Sequence, residues 1–184
     1  MPAAETGRWF VLHDLLAYEQ HPDMICNRLR QDDSSRSKRT TSVLFRRIRR
    51  GDKVVYYATG VSLVVGIFQV VSDRFMIEGD PYWGSDVTAF RIEPWRLPPN
   101  GCFLDFKALV TSGAAHFDMI PKREIWHSFM RGHTTKILTV HDFRLIEKNL
   151  GNAGFLVQSG RFKATKTNWH RKMSSLLSPG YNAA

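Results

Sequence analysis

The sequence predicts an α+β fold in which a small β-barrel is flanked by helices, and three segments of the chain support this. Residues 51–73, GDKVVYYATGVSLVVGIFQVVSD, have β-branched and aromatic residues on both sides of a turn at Gly60, which indicates a β-hairpin. Residues 87–93, VTAFRIE, alternate between apolar and polar and indicate a further strand. Residues 139–150 have the spacing of an amphipathic helix. With 184 residues, the chain is long enough for one domain with a sizeable core.

The hairpin is the centre of the predicted fold. Residues 63–71 contain almost no polar side chain, as expected of a strand that is covered on both faces. Gly66 interrupts this apolar run and indicates a bend or bulge, or a place where a ligand or another backbone comes close. We therefore expect a barrel built on this hairpin to hold a flat ligand.

The segments before the hairpin predict one strand and two helical regions. Residues 8–12, RWFVL, predict the first strand, and residues 14–31 predict a helix that Pro22 divides. Residues 32–42 form a polar loop, and Thr41 or Ser42 can cap a short helix. That helix would carry the apolar residues Val43, Leu44, Phe45 and Ile48.

The segments after the hairpin predict loops and short elements up to the last helix. Residues 76–85 predict a loop, and Pro94 and Trp95 are expected to end the strand at 87–93. Residues 104–110 predict a short strand or a turn of helix, and residues 120–129 a loop that leads into a short helix. Thr139 is the expected N-cap of the final helix, which Gly151 ends.

The charge of the chain favours a polyanionic partner. The formal net charge is +9 and the isoelectric point is about 9.9. Nine Lys and Arg residues against two Asp between positions 28 and 50 give a local net charge of +7. Lysine and arginine release counterions from phosphates, so this run predicts a phosphate-binding surface; a merely solvated basic face is the alternative. The predicted phosphate-binding residues are Arg28, Arg30, Arg46, Arg47, Arg50 and, further along the chain, Arg131.

Several classes of protein are not favoured by the sequence. No HExxH motif, nucleophile elbow or P-loop is present, and the spacing of the seven histidines places no two ligands on one helical turn. We therefore expect no catalytic residue, no metal site and no cofactor. Two cysteines make no disulfide framework, and no apolar run is long enough to cross a membrane or resembles a signal peptide. A cytoplasmic location is the resulting expectation.

Trp83 stands out among the aromatic residues. It lies in the polar segment between Asp80 and Asp86, whereas Trp9 and Trp95 lie in or beside predicted strands and are expected in the core. A tryptophan on a loop at the mouth of a barrel can stack on a planar ring, with packing in the core as the alternative.

The ordered series RWFVLHD, GDKVVYYATG, VVGIFQVVSD, DPYW and FRIEP resembles the EVE domain, over about residues 7–150. The closing segments, IWHSFMRG and ILTVHDFRLIEKNL, resemble the end of the small stand-alone EVE proteins of archaea and bacteria, and AFRIEPWRLP is similar to a segment of the more distant YTH domains. The resemblance implies a PUA-like fold, a small mixed β-barrel flanked by helices, and a binding module rather than a catalyst. YTH domains hold N6-methyladenine of RNA in an aromatic cage, and EVE domains are thought to hold modified bases, such as modified cytosines in DNA.

The resemblance also implies a set of residues for the base pocket. By position, His13 and Asp14 would contact the edge of the base, Trp83 would be a cage aromatic, and Trp126 and Phe129 would lie beside the pocket. Where the families place a tryptophan after the first helix, this chain has MICNRL, so Asn27 and its neighbours would form that wall. Residues 151–184 form a basic extension outside the family pattern.

These observations predict a module that binds DNA or RNA carrying a modified base. The main alternative is a PUA-like domain that binds a small molecule or a protein partner and no nucleic acid. A third, an RNA-modifying enzyme, would need a catalytic acid or a metal that the sequence does not indicate.

Overall fold

The structure is a computed structural model that describes residues 6–28, 43–99, 101–130 and 135–162. Within these residues, nine strands form one mixed sheet with the path β2-β6-β4-β3-β1-β8, in which β5 also pairs with β6, β7 with β4, and β9 with β7. Strand β1 runs parallel to β3, and the other pairs are antiparallel. The strands are β1 Arg8–Asp14, β2 Met24–Arg28, β3 Lys53–Thr59, β4 Leu63–Val70, β5 Phe75–Asp80, β6 Ser85–Arg96, β7 Cys102–Asp105, β8 Thr135–Ile137 and β9 Leu156–Gln158.

Short helices flank this sheet, which curls into a half-barrel, so the predicted α+β class is confirmed. They are α1 Leu15–Gln20, α2 Phe106–Thr111, α3 Trp126–Met130 and α4 Val140–Asn149, and residues 43–46 are also helical. The hydroxyl of Thr139 accepts a hydrogen bond from the Asp142 backbone N–H at 3.1 Å, so the predicted N-cap of α4 is confirmed. None of the helices described is long and apolar enough to cross a membrane.

The alternation of side chains along the central strands builds two cores on opposite faces of the sheet. Val55 and Tyr57 of β3 point into the first core, which α2, α3 and α4 cover. Val54 and Tyr56 point into the second core, which contains Leu15 of α1 and the buried residues Phe45 and Ile48. Side chains of β4 pack in both cores, so the strand is apolar almost throughout, as the sequence predicts.

Gly66 sits in a β-bulge, which confirms the prediction made for it. Tyr56 pairs with Gly66 and Tyr57 with Val64, so Val65 is the extra residue in β4. A Cβ at Gly66 would lie 2.6 Å from Leu97 Cδ2 and 3.2 Å from the Arg96 carbonyl oxygen. The glycine therefore allows another segment of backbone to come close.

Three sequence predictions about the strands are wrong. Residues 24–28 form β2 rather than the second half of a helix, because they pair along β6 and place Ile25 in the second core. Residues 75–80 form β5 rather than a loop, because β6 supplies their pairing partner. Strand β6 continues through Pro94 to Arg96, beyond the predicted end. Its pairing with β5 ends at Ala89 and its pairing with β2 at Arg91, after which it pairs with β4; Pro94 lies next to a register shift there.

Trp9 and Trp95 have opposite environments. Trp9 is buried in the second core, as predicted, and its Nε1 donates to Asp52 Oδ2 at 2.7 Å. Trp95 is 54% exposed, so its predicted place in the core is wrong. The Lys53 ammonium lies 3.0 Å from the centroid of the Trp95 ring, a cation–π contact on the surface of the sheet.

Strand β9 lies beyond residue 150, where the sequence analysis ended the domain. It pairs with β7 through Phe103 and Val157. Phe155 packs against the first core, and Val157 and Phe162 pack against the second. The sheet therefore includes part of the segment that the sequence analysis treated as an extension; residues 163–184 of that segment lie outside the described residues.

Candidate ligand-binding site

Trp83 lies in the tight turn between β5 and β6, and Asp80 shapes this turn. Asp80 Oδ1 accepts hydrogen bonds from the backbone N–H groups of Tyr82 at 2.9 Å and Trp83 at 3.0 Å, and its carbonyl oxygen accepts from Gly84 N at 2.7 Å. Gly84 has a φ of 61°, in the left-handed region that favours glycine. The sequence Asp-Pro before Tyr82 is a turn signal, and this local chemistry explains why the indole is held at the end of the sheet.

The turn lies against the end of α1, where Asp80 faces His21. Asp80 is almost fully buried, and its Oδ2 lies 3.1 Å from Nε2 of His21, the residue that follows α1. A carboxylate in this position requires a partner because an isolated buried charge is costly. His21 therefore helps to fix the turn that carries Trp83.

Asp14 connects α1 to the same turn. Its Oδ1 accepts from the Ala17 N–H at 2.8 Å and caps α1, and its Oδ2 accepts from the Tyr82 hydroxyl at 2.5 Å. Burial, with the hydrogen bond to Asp14, raises the pKa of Tyr82, so this hydroxyl keeps its proton and remains a donor. A base amine that bound to Asp14 would have to share the carboxylate with Tyr82.

His13 lies between Trp83 and the second core. Its Nδ1 is 3.2 Å from the Tyr56 hydroxyl oxygen, and its ring meets those of Tyr56 and Trp83 edge-on, at centroid distances of 5.5 and 5.7 Å. The Trp83 indole is half-buried and packs against a small cluster that contains Cys26, Val87 and Ala89. The structure thus brings His13, Asp14 and Trp83 together, with Tyr82 as a neighbour that the sequence analysis did not name.

Cys26 and Asn27 lie on β2, in the segment that the sequence resemblance assigns to one wall of the base pocket. Burial raises the pKa of Cys26 to about 12, so the thiol beside Trp83 is neutral. Asn27 is half-buried and pairs with Thr88 of β6. This wall is formed by small side chains instead of an indole.

Trp126 and Phe129 lie on the opposite face of the sheet from Tyr56 and His13. Both belong to the first core, where the Trp126 ring meets Phe106 edge-on at 6.3 Å. Trp126 lines a cavity of about 550 Å³, and Trp83 lines neither this cavity nor a smaller one of about 250 Å³ beside Arg123. The residues that the resemblance assigns to one pocket therefore form two separate groups.

The described end of the basic run, residues 43–50, packs on the second core, and we call it the basic segment. Phe45 and Ile48 are buried there, and the Phe45 ring meets Phe90 at 5.3 Å. Arg46, Arg47 and Arg50 are exposed. Arg28 lies in β2 but its side chain, like Arg30 and Arg131, is outside the described part of the chain.

Asp52 fixes the turn that follows the basic segment. It is buried and accepts from three donors: Gly7 N at 2.8 Å, Trp9 Nε1 at 2.7 Å and Arg49 N at 2.9 Å. These bonds hold the basic segment to the start of β1 and hence in a defined position on the sheet.

Asp118, His141 and Asp142 have ligand atoms within 4.8 Å of one another. However, the two Asp142 oxygens accept from Asp118 N at 2.7 Å and Met119 N at 2.9 Å, and His141 Nε2 lies 2.9 Å from the His116 carbonyl oxygen. The Thr139 hydroxyl donates to Asp118 at 2.7 Å. This arrangement is a hydrogen-bond network that joins the loop at 116–119 to the start of α4.

The comparisons with known proteins agree with this fold. No protein-family model and no curated protein matches the sequence. Among solved structures, the DUF55 domain of human thymocyte nuclear protein 1 matches with a TM-score of 0.50 and 10% identity, over 78% of this chain and 98% of that one. Human THYN1 protein in complex with 5-methylcytosine-containing DNA matches with a TM-score of 0.49 and 8% identity, over 79% of this chain and 98% of that one. A hypothetical protein from Leishmania major matches with a TM-score of 0.48 and 13% identity, over 80% of this chain and 96% of that one.

The match to the human DUF55 domain, together with the mixed sheet flanked by helices, defines the class of the protein as an α+β domain of PUA-like fold. At such identities the likeness to the human DUF55 domain concerns the fold alone, and what this chain binds has to be argued from its own residues.

Proposed function

We propose that this chain is a non-catalytic module that binds DNA or RNA and holds a modified base against Trp83. The observation that carries the proposal is that the Trp83 group and the exposed arginines are attached to the same core. His13 contacts both Trp83 and Tyr56, and Tyr56 lies in the second core together with Phe45 and Ile48 of the basic segment. A strand whose phosphates contact that segment would therefore pass close to the indole.

The chemistry of the group suits a planar guest. The half-buried Trp83 ring offers a π surface, which contributes about 1–3 kcal/mol when a base stacks on it. His13 lies against the ring and Asp14 against the adjacent Tyr82, and both offer groups that donate to or accept from the edge of a base; Asn27 lies on the neighbouring strand β2. The small side chains of Cys26 and Ala89 leave this wall apolar, and a methyl group buried there contributes about 1 kcal/mol or less.

The proposal includes membership of the stand-alone EVE type and phosphate binding by Arg46, Arg47 and Arg50. What supports it is the ordered series of sequence motifs, the PUA-like fold and the exposure of these arginines. Phosphate contacts position a strand without reading its sequence, so base preference is assigned to the Trp83 group alone.

The test separates these two roles by titrating matched oligonucleotides. DNA with 5-methylcytosine and RNA with N6-methyladenine are each compared with the unmodified strand at two salt concentrations, by fluorescence anisotropy. We expect Trp83→Ala to remove the preference for the modified base and to weaken its binding about tenfold or more. Arg46→Ala with Arg47→Ala should weaken all strands and lower the slope of log K against log salt by about 1–2.

A matched control is Arg144→Ala with Lys148→Ala, two exposed basic residues of α4 on the other side of the sheet. This pair should leave affinity and salt slope nearly unchanged. Base preference that survives in Trp83→Ala would refute the assignment of the pocket. The absence of saturable binding to any strand at low salt would favour the alternative, a domain that binds a small molecule or a protein.

A further inference from the structure

The cavity on the other face of the sheet has the size of a ligand site. Its volume of about 550 Å³ lies within the range of roughly 300–1,000 Å³ that is usual for small-molecule pockets. It opens between the turn from β3 to β4, the first turn of α2, and α3. The lining residues are Tyr57, Thr59, Gly60, Ser62, Lys107, Trp126, His127 and Met130, and we call it the Tyr57–Trp126 cavity.

Two aromatic side chains form rigid walls of this cavity. Tyr57 comes from β3 and Trp126 from α3, and both are largely buried. Each meets the buried Phe106 ring edge-on, at centroid distances of 5.6 and 6.3 Å, which fixes their orientation. Because these walls are preformed, no side chain has to be ordered when a ligand binds beside them.

Hydroxyl groups lie along the strand side of the cavity. Ser62 lies beside Tyr57 and has a φ of 61°, in the left-handed region that residues other than glycine rarely adopt. Burial raises the pKa of Tyr57 to about 12, so its hydroxyl stays protonated at neutral pH. Together with Thr59, these residues can hydrogen-bond to the polar edge of a base or to a sugar.

Two basic side chains stand at the rim. Lys107 is exposed on the first turn of α2, and His127 is exposed on α3. The neighbouring acid, Asp105, directs its carboxylate to the Ala108 N–H at 2.8 Å and caps α2. An ammonium group that lines the same cavity as two aromatic side chains suits a flat ring that bears an anionic group.

We propose that the Tyr57–Trp126 cavity binds a nucleoside monophosphate, with the base against Tyr57 and Trp126 and the phosphate at Lys107. This is a second site: Tyr57 and Tyr56 point into opposite cores, and Trp83 does not line the cavity. A nucleoside monophosphate group is present both in a free mononucleotide and at the phosphorylated end of a nucleic-acid strand, and either can supply the ligand. The proposal does not depend on base binding at Trp83.

The experiment uses the full chain and isothermal titration calorimetry. Adenosine and cytidine 5′-monophosphates are compared with adenosine and cytidine. We expect the monophosphates to bind more tightly, and Lys107→Ala to weaken them at least about tenfold while the nucleosides change less than about twofold. Tyr57→Phe, which removes only a hydroxyl, should weaken all four ligands about threefold to tenfold. Lys148→Ala, on the exposed side of α4, is the control and should change nothing.

A competition experiment distinguishes the two sources. An oligonucleotide with a 5′-phosphate that displaces the monophosphate, when the 5′-hydroxyl strand does not, identifies a strand end; failure of both to compete identifies a free mononucleotide. Trp83→Ala should leave monophosphate binding intact, so this result is separable from the test of the first site. Equal binding of monophosphates and nucleosides, no binding at millimolar concentration, or no effect of Lys107→Ala would overturn the proposal.

Discussion

At the scale of single residues, three buried tyrosine side chains, Tyr56, Tyr57 and Tyr82, each lie beside a polar side chain. The Tyr56 hydroxyl oxygen lies 3.2 Å from His13 Nδ1, the Tyr82 hydroxyl donates to Asp14, and Tyr57 lies beside Ser62. Burial is the largest cause of the raised pKa of each of these three tyrosines. Their hydroxyls therefore remain neutral hydrogen-bonding groups inside the protein, and ionisation opposes folding.

This arrangement predicts a specific loss of stability at alkaline pH. The pKa of Tyr57 is about 12 in the folded chain against 10.0 as a reference, so the unfolded chain loses this proton first. The contribution of protonated Tyr57 to the free energy of unfolding is fully present below pH 10. It is lost between pH 10 and 12, at about 1.4 kcal/mol per pH unit. Urea unfolding at pH 8, 9, 10 and 11 should show a shallower decline for Tyr57→Phe than for the parent chain. Identical slopes would contradict the prediction.

At the scale of elements, the bulge in β4 shows how one residue shapes a strand. Gly66 lets the backbone at Arg96 approach, and this is where β6 runs along β4 after leaving β2. The glycine was identifiable from the sequence, because it interrupts an apolar run. Its neighbour Leu97 could not be identified from the sequence, because only the path of β6 brings Leu97 close to Gly66.

Gly66→Ala should therefore destabilise the fold by about 1–3 kcal/mol, because the new methyl group meets Leu97 Cδ2 and the Arg96 carbonyl oxygen. Leu97 is half-exposed, so in a Leu97→Ala background the same change should cost about 1 kcal/mol less. Urea denaturation of the four chains measures this coupling. Gly151→Ala, where a Cβ has no neighbour within 4 Å, is the control. Equal costs in both backgrounds would exclude the contact with Leu97 as the cause.

Short elements were the hardest to predict from the sequence. The segments that became β2 and β5 are five and six residues long, too short for an apolar pattern to separate strand from helix or loop. Both are strands because the first half of β6 lies between them and provides pairing partners on its two edges. By contrast, α4 has its own cap and an apolar face, and its limits were predicted within a residue.

At the scale of the whole molecule, the sheet is closed by segments that are distant in sequence. Strand β9 follows α4 and pairs with β7, while Phe155, just before the strand, and Val157, within it, pack against different cores. The end of the described chain thus joins the two sides of the sheet. A domain boundary at residue 150 would remove this strand.

A chain ending at residue 150 should be less stable than one ending at residue 162, by about 2–4 kcal/mol, because Phe155, Leu156 and Val157 no longer pack. The comparison is made by urea denaturation of both chains. In the full chain, Val157→Ser should reproduce part of this loss and the exposed Gln158→Ser should not. Equal stability of the two shortened chains would show that β9 contributes little.

The sequence by itself determined the features that are encoded locally: the central hairpin, its glycine, the capped last helix, the basic run and the exceptional position of Trp83. These follow from residue type and periodicity, which act over a few positions. Tertiary structure alone decided which residues share a site. The alternation of side chains across one sheet sends neighbours such as Tyr56 and Tyr57 to opposite faces, so Trp83 stands with His13 and Asp14, whereas Trp126 lines a separate cavity with Tyr57.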